Sequence, residues 1–488
     1  MECGRFKEHL TEVSQMAVWK INKVLLRIFP QFQITEIEKH SNNYRLACET
    51  AKLANEIFGG LVNNPSLQNN KALIQKKIDY FREVARYKLN NGEPIVSEIK
   101  VDLKNGVVNL DYGRHFGEFS AFDMMCRGLY IDLKGRSPDG ILMLPMTKFF
   151  NMGEPGCPDD EFIFENMTGE IKFPEKIDGS MIVARRLENG KLFLATRQTF
   201  YDPDSDRPEQ IYTKKAKEYL DQIGTDWMDA NQTYTFEVVF DESPHPAKFT
   251  SGLYILSARN HTDGASRSSD EIEKTELAGK KEPPLFFPKV YQFKSFAEVK
   301  AYTEKLENAE GFVATIRMKE ATNGNTRVPG NILRIKFKTP WWFATNRVMM
   351  AANKYAKVSR LVNSLPQEIL DVTQIKPKDA FSEERFKTVV ADFSKYLNDR
   401  FDGYLGGADD LCAEIFSHWQ SASELAKRYM SESPGASYGE LKKKIFTDPN
   451  ADKKLRPYVG SLVDLYHGKG TFNIAHILRL YRDYTEKD

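Results

Sequence analysis

The 488-residue sequence has no run of 18 apolar residues, the length that a membrane-crossing helix needs. Its opening, MECGRFKEHLTEV, has no apolar core of a secretory leader, so an intracellular protein without a membrane partner is expected. Charge of one sign is also missing. The 69 Lys and Arg stand against 68 Asp and Glu, a net charge of +1, so any surface that binds nucleic acid must be local. Cysteine is scarce: Cys3, Cys48, Cys126, Cys157 and Cys412 form no CxxC and no Cys/His set at zinc spacing. That argues against a metal ribbon or a disulfide framework and for a reducing compartment such as the cytoplasm. No repeat of fixed period is visible. The chain is too long for one ordinary core, and two or three domains are expected.

What is present changes character twice. From Phe6 to about Phe29 apolar residues (Leu10, Val13, Met16, Ala17, Ile21, Val24, Leu25, Ile28) recur at helical spacing until Pro30. SNNYRLACETAKLANEIF and NKALIQKKIDYFREVARYKL continue the pattern, the first from a Ser41 cap to Gly59-Gly60. Residues 1–92 are therefore expected to be a helical extension. After Pro94, IVSEIKVDL and VVNLDY flank Lys104-Asn105-Gly106, a hairpin signal. Strand patterns then dominate to about residue 345: CRGLYIDL, GILMLPM, SMIVARRL, KLFLATRQ, YTFEVVF, LYILSAR, GFVATIRM and ILRIKFK. The polar tract between Asn260 and Pro284 reads as an exposed loop with a helical turn at most. From 346 to 488 the helical period returns, in RFKTVVADFSKYL, GADDLCAEIFSHW, SASELAKRYM, YGELKKKIF and NIAHILRLYRDY.

Within the strand-rich part, FPEKIDGSMIV (residues 173–183) places Lys176, Asp178 and Gly179 in an otherwise strand-like run. These are poor strand formers, so the stretch reads either as a turn or as a backbone that presents a side chain. Further along come Glu237 inside an apolar strand, Glu310 at the opening of another, and Lys336 and Lys338 on one face of a third. Singly, each has a plain reading as an edge-strand charge, a turn residue or a wet sheet face. Together they make a pocket with a nucleophile, carboxylates and cations, suited to a nucleoside triphosphate and a divalent metal.

The ordered set KIDG, FEVVF, YILSARN, EGFV and RIKFKTPWW resembles the motifs of covalent nucleotidyltransferases, and among these the phage-type RNA ligase 1 family, over roughly residues 122–345. MCRGLYIDLKG, LPMTKFFNMGE and FLATRQTF stand where that family has its arginine strand, its lysine strand and a basic strand-loop. The resemblance implies an α+β fold: a nucleotidyltransferase domain of the ATP-grasp-like ligase kind, built of antiparallel sheets with helices (93–345), between all-helical N-terminal and C-terminal domains (1–92 and 346–488).

It also implies an ATP-dependent RNA ligase. Lys176 would attack the α-phosphorus of ATP, AMP would pass to an RNA 5′-phosphate, and an RNA 3′-hydroxyl would displace it. Lys336 and Lys338 would assist as cations, Glu237 would hold the ribose, and Glu310 would orient water on Mg²⁺ or Mn²⁺. Arg127, Lys148 and Arg197 would hold phosphates. Phe150 would wall the nucleotide pocket or belong to the core. Gly179 would leave the nucleotide unobstructed, with Ser180 supplying a hydroxyl or merely suiting the turn. Asp409 and Asp410, in GADDLCAEIF, resemble a metal-proximal pair of the family, though acids at a helix start need no such role. Lysine near its ordinary pKa of about 10.4 is protonated, so the pKa of Lys176 is expected to fall through burial and nearby cations.

The partners implied are RNA ends, those of a cleaved tRNA among them, and an end-healing kinase-phosphatase; a viral source fits as well. A DNA ligase or a GTP-using capping enzyme shares KxDG but usually continues into an OB-fold, and the tail here is helical. A decayed RNA-binding homologue would have lost motif residues that are intact. His245 and HGKGTFN read as ordinary loops. Trp341-Trp342 reads as a base-stacking pair or a core element.

Overall fold

The computed structural model describes residues 32–485 apart from 65, 68, 114–118, 206, 243–244, 278–282, 324–325, 329–330, 350–357, 359–360, 363–364, 402–407, 450–454 and 470–471. The helical period read over 6–29 lies outside the described residues. The chain forms two compact units: Met1–Ser243 with Lys248–Lys305 and Glu310–Lys338, and Pro244–Ala247 with Leu306–Ala309 and Thr339–Asp488.

In the first unit the strands are, in chain order, β1 (Glu98–Asp102), β2 (Val107–Asp111), β3 (Arg127–Asp132), β4 (Ile141–Met143), β5 (Phe150–Asn151), β6 (Phe173–Pro174), β7 (Ser180–Arg186), β8 (Leu192–Ala195), β9 (Gln232–Val239), β10 (Gly252–Asn260), β11 (Ser266–Ser268), β12 (Leu285–Phe286), β13 (Val290–Tyr291), β14 (Gly311–Arg317), β15 (Ala321–Asn323), β16 (Thr326–Val328) and β17 (Ile332–Lys338). Strands β1 to β4 form one antiparallel sheet. Its first hairpin sits at the expected turn, with Asp102 opposite Val107 and Gly106 at φ 65°. The central sheet has the order β11-β10-β9-β7-β8, with β12 parallel to β10. A third sheet has the order β14-β17-β5, and β6 pairs with β13. Each of the eight strand runs read from the sequence is a strand here.

Helices α1 (Tyr44–Val62) and α2 (Lys71–Leu89) put Phe58 and Phe81 in one core with Ile99, Leu110, Leu129 and Ile131 of the β1–β4 sheet. The apolar period thus packs a helix stripe onto a sheet face. Asn55 adds a hydrogen bond of 3.0 Å from its amide to the carbonyl of Asp132. The polar tract after Asn260 departs from the loop reading. It folds as β11 and helix α3 (Ser269–Thr275), closed by a Ser268/Glu271 capping box, with Ile272 fully buried. A single apolar residue per turn gives too little periodicity to read as a helix.

A buried polar cluster joins the start of α1 to the central sheet. His261 donates from Nδ1 to Asp139 Oδ2 at 2.8 Å, and its Nε2 accepts from Thr233 Oγ1 at 2.8 Å. Burial holds His261 below its ordinary pKa, and the hydrogen bond to Asp139 only partly offsets this. Asp139 is in turn held low, because the hydrogen bonds from His261 and Ser137 outweigh burial.

The second unit is helical. Helices α4 (Glu383–Phe401), α5 (Ala408–Ser431) and α6 (Arg456–Tyr466) enclose a core in which Phe386 stacks on Trp419 with ring centroids 4.4 Å apart. The two segments read as GADDLCAEIFSHW and SASELAKRYM are one helix, α5. Trp341 is buried, in agreement with the core reading. After β17 there is no strand among the described residues.

Because the fold keeps His261 neutral while an unfolded imidazole takes a proton near pH 6.5, stability should fall as pH drops below that value. The slope is at most about 1.4 kcal/mol per pH unit for one proton. Asp139 adds its loss only at lower pH, below its unfolded value of 3.8. Denaturant titrations between pH 7.5 and 5 are expected to show that slope, and His261→Gln should flatten it.

Candidate active site

Lys176 lies between β6 and β7, which belong to different sheets. The segment that carries it must cross from one sheet to the other and cannot remain strand. Its backbone is fixed at the crossing: Lys176 N–H donates to Gly311 O at 2.8 Å, and Glu175 N–H to Lys289 O at 2.8 Å. Ile177 and Asp178 are buried on the way to β7.

Gly179 has a requirement within the protein itself, apart from the expected one that a side chain there would obstruct the nucleotide. A Cβ would lie 2.6 Å from the Val238 carbonyl oxygen and 2.9 Å from Cγ of Glu237. The glycine is needed because the loop closes onto β9 beside Glu237. Ser180 opens β7 opposite Val238. Glu237 lies between Met181 of β7 and Tyr254 of β10, on a strand buried throughout, so the edge-strand reading does not hold.

Glu310 immediately precedes β14 and is engaged at both oxygens. Lys176 Nζ lies 2.7 Å from Oε2 and Lys338 Nζ 2.7 Å from Oε1, with the Glu310 side chain 3% exposed. The antiparallel register of β14 and β17 sets this up by pairing Gly311 with Lys338 and Val313 with Lys336. Gly311 has φ 132°, and a Cβ there would sit 1.9 Å from the Phe337 carbonyl oxygen. No side chain fits at that position.

Cations gather around this clamp. Lys336 Nζ and the Arg127 guanidinium each stand 4.7 Å from the centroid of the Phe149 ring. Burial, and then Arg127, Lys176, Lys338 and Lys148, push Lys336 well below the ordinary lysine pKa. Burial also lowers Arg127 and Lys338, the latter against the pull of Glu310.

Lys176 goes the other way. Burial, its largest single influence, lowers its pKa, but Glu310 and Glu237 together outweigh it and the net shift is upward. The expected fall of the Lys176 pKa is therefore corrected. In the protein alone the nucleophile is held as an ammonium ion by the acid it touches.

Other expected residues are placed differently. Lys148 Nζ is enclosed by aromatic rings, 3.7 Å from the Phe150 centroid and 4.2 Å from that of Phe119, with Glu154 Oε1 at 3.7 Å. Burial lowers its pKa against the pull of Glu154. Phe150 packs with Phe119 and Met124 beneath Lys148, and Phe149 rather than Phe150 lines the cavity that holds Lys176. Neighbouring residues on an extended chain face opposite ways, and β5 is too short for its sequence to show which faces in. Arg197 makes two 2.9 Å bonds to Asp111 and stacks 4.0 Å above the Tyr112 ring. Asp111 thereby outweighs burial and raises its pKa. Asp409 and Asp410 stand exposed in the first turn of α5, in the other compact unit, with Asp409 accepting from Ser394 at 2.5 Å.

The cavity, about 530 Å³ with its mouth, has Lys176, Glu237, Glu175, Arg127 and Arg334 as its charged lining and Phe149, Met146, Ile177, Leu256 and Val313 among its apolar walls. This combination of an apolar slot with a few converging charges is what a nucleotide requires. Arg334 and Phe149 were not singled out from the sequence. For Arg334 the signal was present, because period two puts it on the same face of β17 as Lys336 and Lys338.

Residues 125–342 match the family model described as RNA ligase, of the T4 RNA ligase 1 type. No curated protein matches the chain. Among solved structures, an archaeal ATP-dependent RNA ligase is similar in two forms. The first is 13% identical over 67% of this chain and 80% of its own, with a TM-score of 0.35. The second is 13% identical over 85% of this chain and 98% of its own, with a TM-score of 0.34. A lysine-to-alanine mutant of Naegleria gruberi RNA ligase with ATP and Mn is 12% identical over 35% of this chain and 52% of its own, with a TM-score of 0.24.

Gly311→Ala is expected to cost about 2–4 kcal/mol or to prevent folding, since backbone must move by more than a side chain can absorb. Thermal denaturation beside an exposed Gly439→Ala control, where nothing lies within 4 Å of the new Cβ, measures the difference. Over residues 125–342, then, the chain matches the phage-type RNA ligase family.

Proposed function

We propose that the protein is an ATP-dependent RNA ligase acting through a lysyl-adenylate on Lys176. The observation that carries the reading is the clamp of Lys176 and Lys338 on Glu310, beside Glu237 and Lys336. Lys176 Nζ forms a bond to the α-phosphorus of ATP while the bond to the β-bridging oxygen breaks and pyrophosphate leaves. Glu310 Oε2, at 2.7 Å, is the nearest acceptor for the proton that the ammonium ion must lose. An oxygen of an RNA 5′-phosphate then attacks the same phosphorus and the lysine departs. Finally the RNA 3′-hydroxyl attacks the 5′-phosphorus and AMP leaves.

Lys336 and Lys338 are fixed cations that offset charge on the α-phosphate as the transition state forms, and such preorganised groups are worth several kcal/mol. Glu237 serves the ribose, while Arg127, Lys148 and Arg197 serve phosphates. Lys148 and Arg197 come to that role already held by aromatic rings and by Asp111. Asp178 and Gly179 shape the loop.

No group of three or more His, Cys, Asp or Glu suited to a metal occurs among the described residues. A small hard cation such as Mg²⁺ that keeps most of its water needs only one or two carboxylates, and Glu310 fits that donor set, with Asp409 and Asp410 the outlying pair. Bound there, Mg²⁺ or Mn²⁺ supplies charge neutralisation on the phosphates.

Residues 93–345 are taken as the adenylyltransferase part, and the helices before and after it as the parts that position RNA. A helical tail without strands among the described residues suits this reading better than a DNA ligase or a capping enzyme, which usually continue into an OB-fold. The ends joined are those that an end-healing kinase-phosphatase leaves on a cleaved tRNA, which makes such an enzyme the expected partner in RNA repair.

Incubation with α-labelled ATP and Mg²⁺ should leave label on the protein. Lys176→Ala should take up none, and Lys336→Ala should slow labelling by about 10²–10³-fold. With 5′-phosphorylated substrates, RNA should be circularised. Label from GTP instead of ATP, or circular DNA with RNA untouched, would replace this reading with one of its rivals.

A further inference from the structure

Lys338, Lys336 and Arg334 alternate along β17, so their side chains share one face. The two lysines belong to the end where Glu310 and Lys176 meet. Arg334 comes two residues further, about 6.6 Å along a strand. It is paired across the ladder with Thr315, and both line the same cavity as Lys176. If the α-phosphorus of a nucleotide rests at Lys176, Arg334 stands within the same cavity one step along the strand, where apolar walls suit a base rather than a phosphate. The apolar walls Leu256, Val313 and Ile177 belong to the same cavity.

Arg334 is 7% exposed, and its Nη2 is buried without a hydrogen-bond partner among the described residues. The charges that act on it are mostly of its own sign: Arg127, Arg259 and Arg317. The acid that pulls on it, Glu271, is committed elsewhere, to Arg317 at 2.5 Å and to Ser268 N–H at 2.8 Å. Burial and those three guanidinium groups bring its pKa down to about 9. A buried donor left unsatisfied is costly, and a guanidinium can only donate. The protein therefore holds a desolvated donor in a cavity wall where a ligand can supply the acceptor.

We infer that Arg334 is a nucleotide-binding residue that recognises the base, donating from Nη2 to a ring-nitrogen acceptor of the purine. This rests on the nucleotide reading of the cavity and adds to it a contact that selects the base rather than the phosphates. A purine offers such acceptors at N1, N3 and N7. Replacing one of them by carbon removes the acceptor and leaves the shape nearly unchanged.

The test is isothermal titration of the full chain and of Arg334→Met with ATP, with adenosine, and with 1-deaza, 3-deaza and 7-deaza adenosine. Wild type is expected to bind both ATP and adenosine and to lose about ten- to a hundredfold for one of the three deaza compounds. Arg334→Met should bind adenosine more weakly by a similar factor and no longer distinguish that deaza compound from adenosine. Without ligand it should melt no lower than wild type, because an uncompensated buried charge has been replaced by an apolar chain of similar reach. Equal adenosine binding by the two proteins overturns the inference, and if ATP alone is weakened the contact is to phosphate. A lower melting point with all ligands weakened alike makes the role structural and overturns it too. Failure of wild type to bind ATP at all removes the nucleotide reading and this inference with it, whereas a defect confined to the comparisons with Arg334→Met leaves that reading standing.

Discussion

Glu310 binds two lysines at once, and the rest of the site depends on that shared acid. A carboxylate 3% exposed would be costly if left alone, and two buried ammonium groups would be costlier still. Brought together at 2.7 Å on each side they satisfy one another. The arrangement needs three pieces of backbone in register: the crossing loop that carries Lys176, the start of β14, and the end of β17. Gly311 permits it by letting β14 approach the Phe337 carbonyl more closely than any side chain would allow, and its own carbonyl anchors Lys176 N–H.

That clamp also sets the resting state of the nucleophile. A surrounding of cations lowers the pKa of an amine; a surrounding of acids raises it. Lys176 meets Glu310 and Glu237 and so stays charged, while on β17 burial and neighbouring cations lower the pKa of Lys336. The site therefore holds its lysines in opposite electrostatic conditions. In the proposed reaction the ammonium ion passes its proton to Glu310 Oε2, 2.7 Å away, before Lys176 attacks.

Much of this was legible from residue order. Strand propensity located all eight strand runs, and Lys104-Asn105-Gly106 gave its hairpin, because both signals are local. The five charged motif residues could be grouped only because their order resembled a known family; nothing in spacing alone says that Lys176 and Glu310, 134 positions apart, touch. What the sequence concealed depended on tertiary context. The direction of the Lys176 shift turned on how many acids and cations surround it. The choice between Phe149 and Phe150 turned on which face of a two-residue strand points inward. The helix after Asn260 is held by one buried isoleucine and a capping box, a pattern too sparse to declare itself. Gly179 announced a close approach, yet its partner proved to be β9.

The most direct measurement is peptide mapping by mass spectrometry of the full chain after incubation with ATP and Mg²⁺. The account predicts one adenylyl group per molecule, on the peptide containing Lys176 and joined through its Nζ. An adenylyl group on Lys336 or Lys338 instead, or none on any lysine while ATP is still consumed, would contradict it.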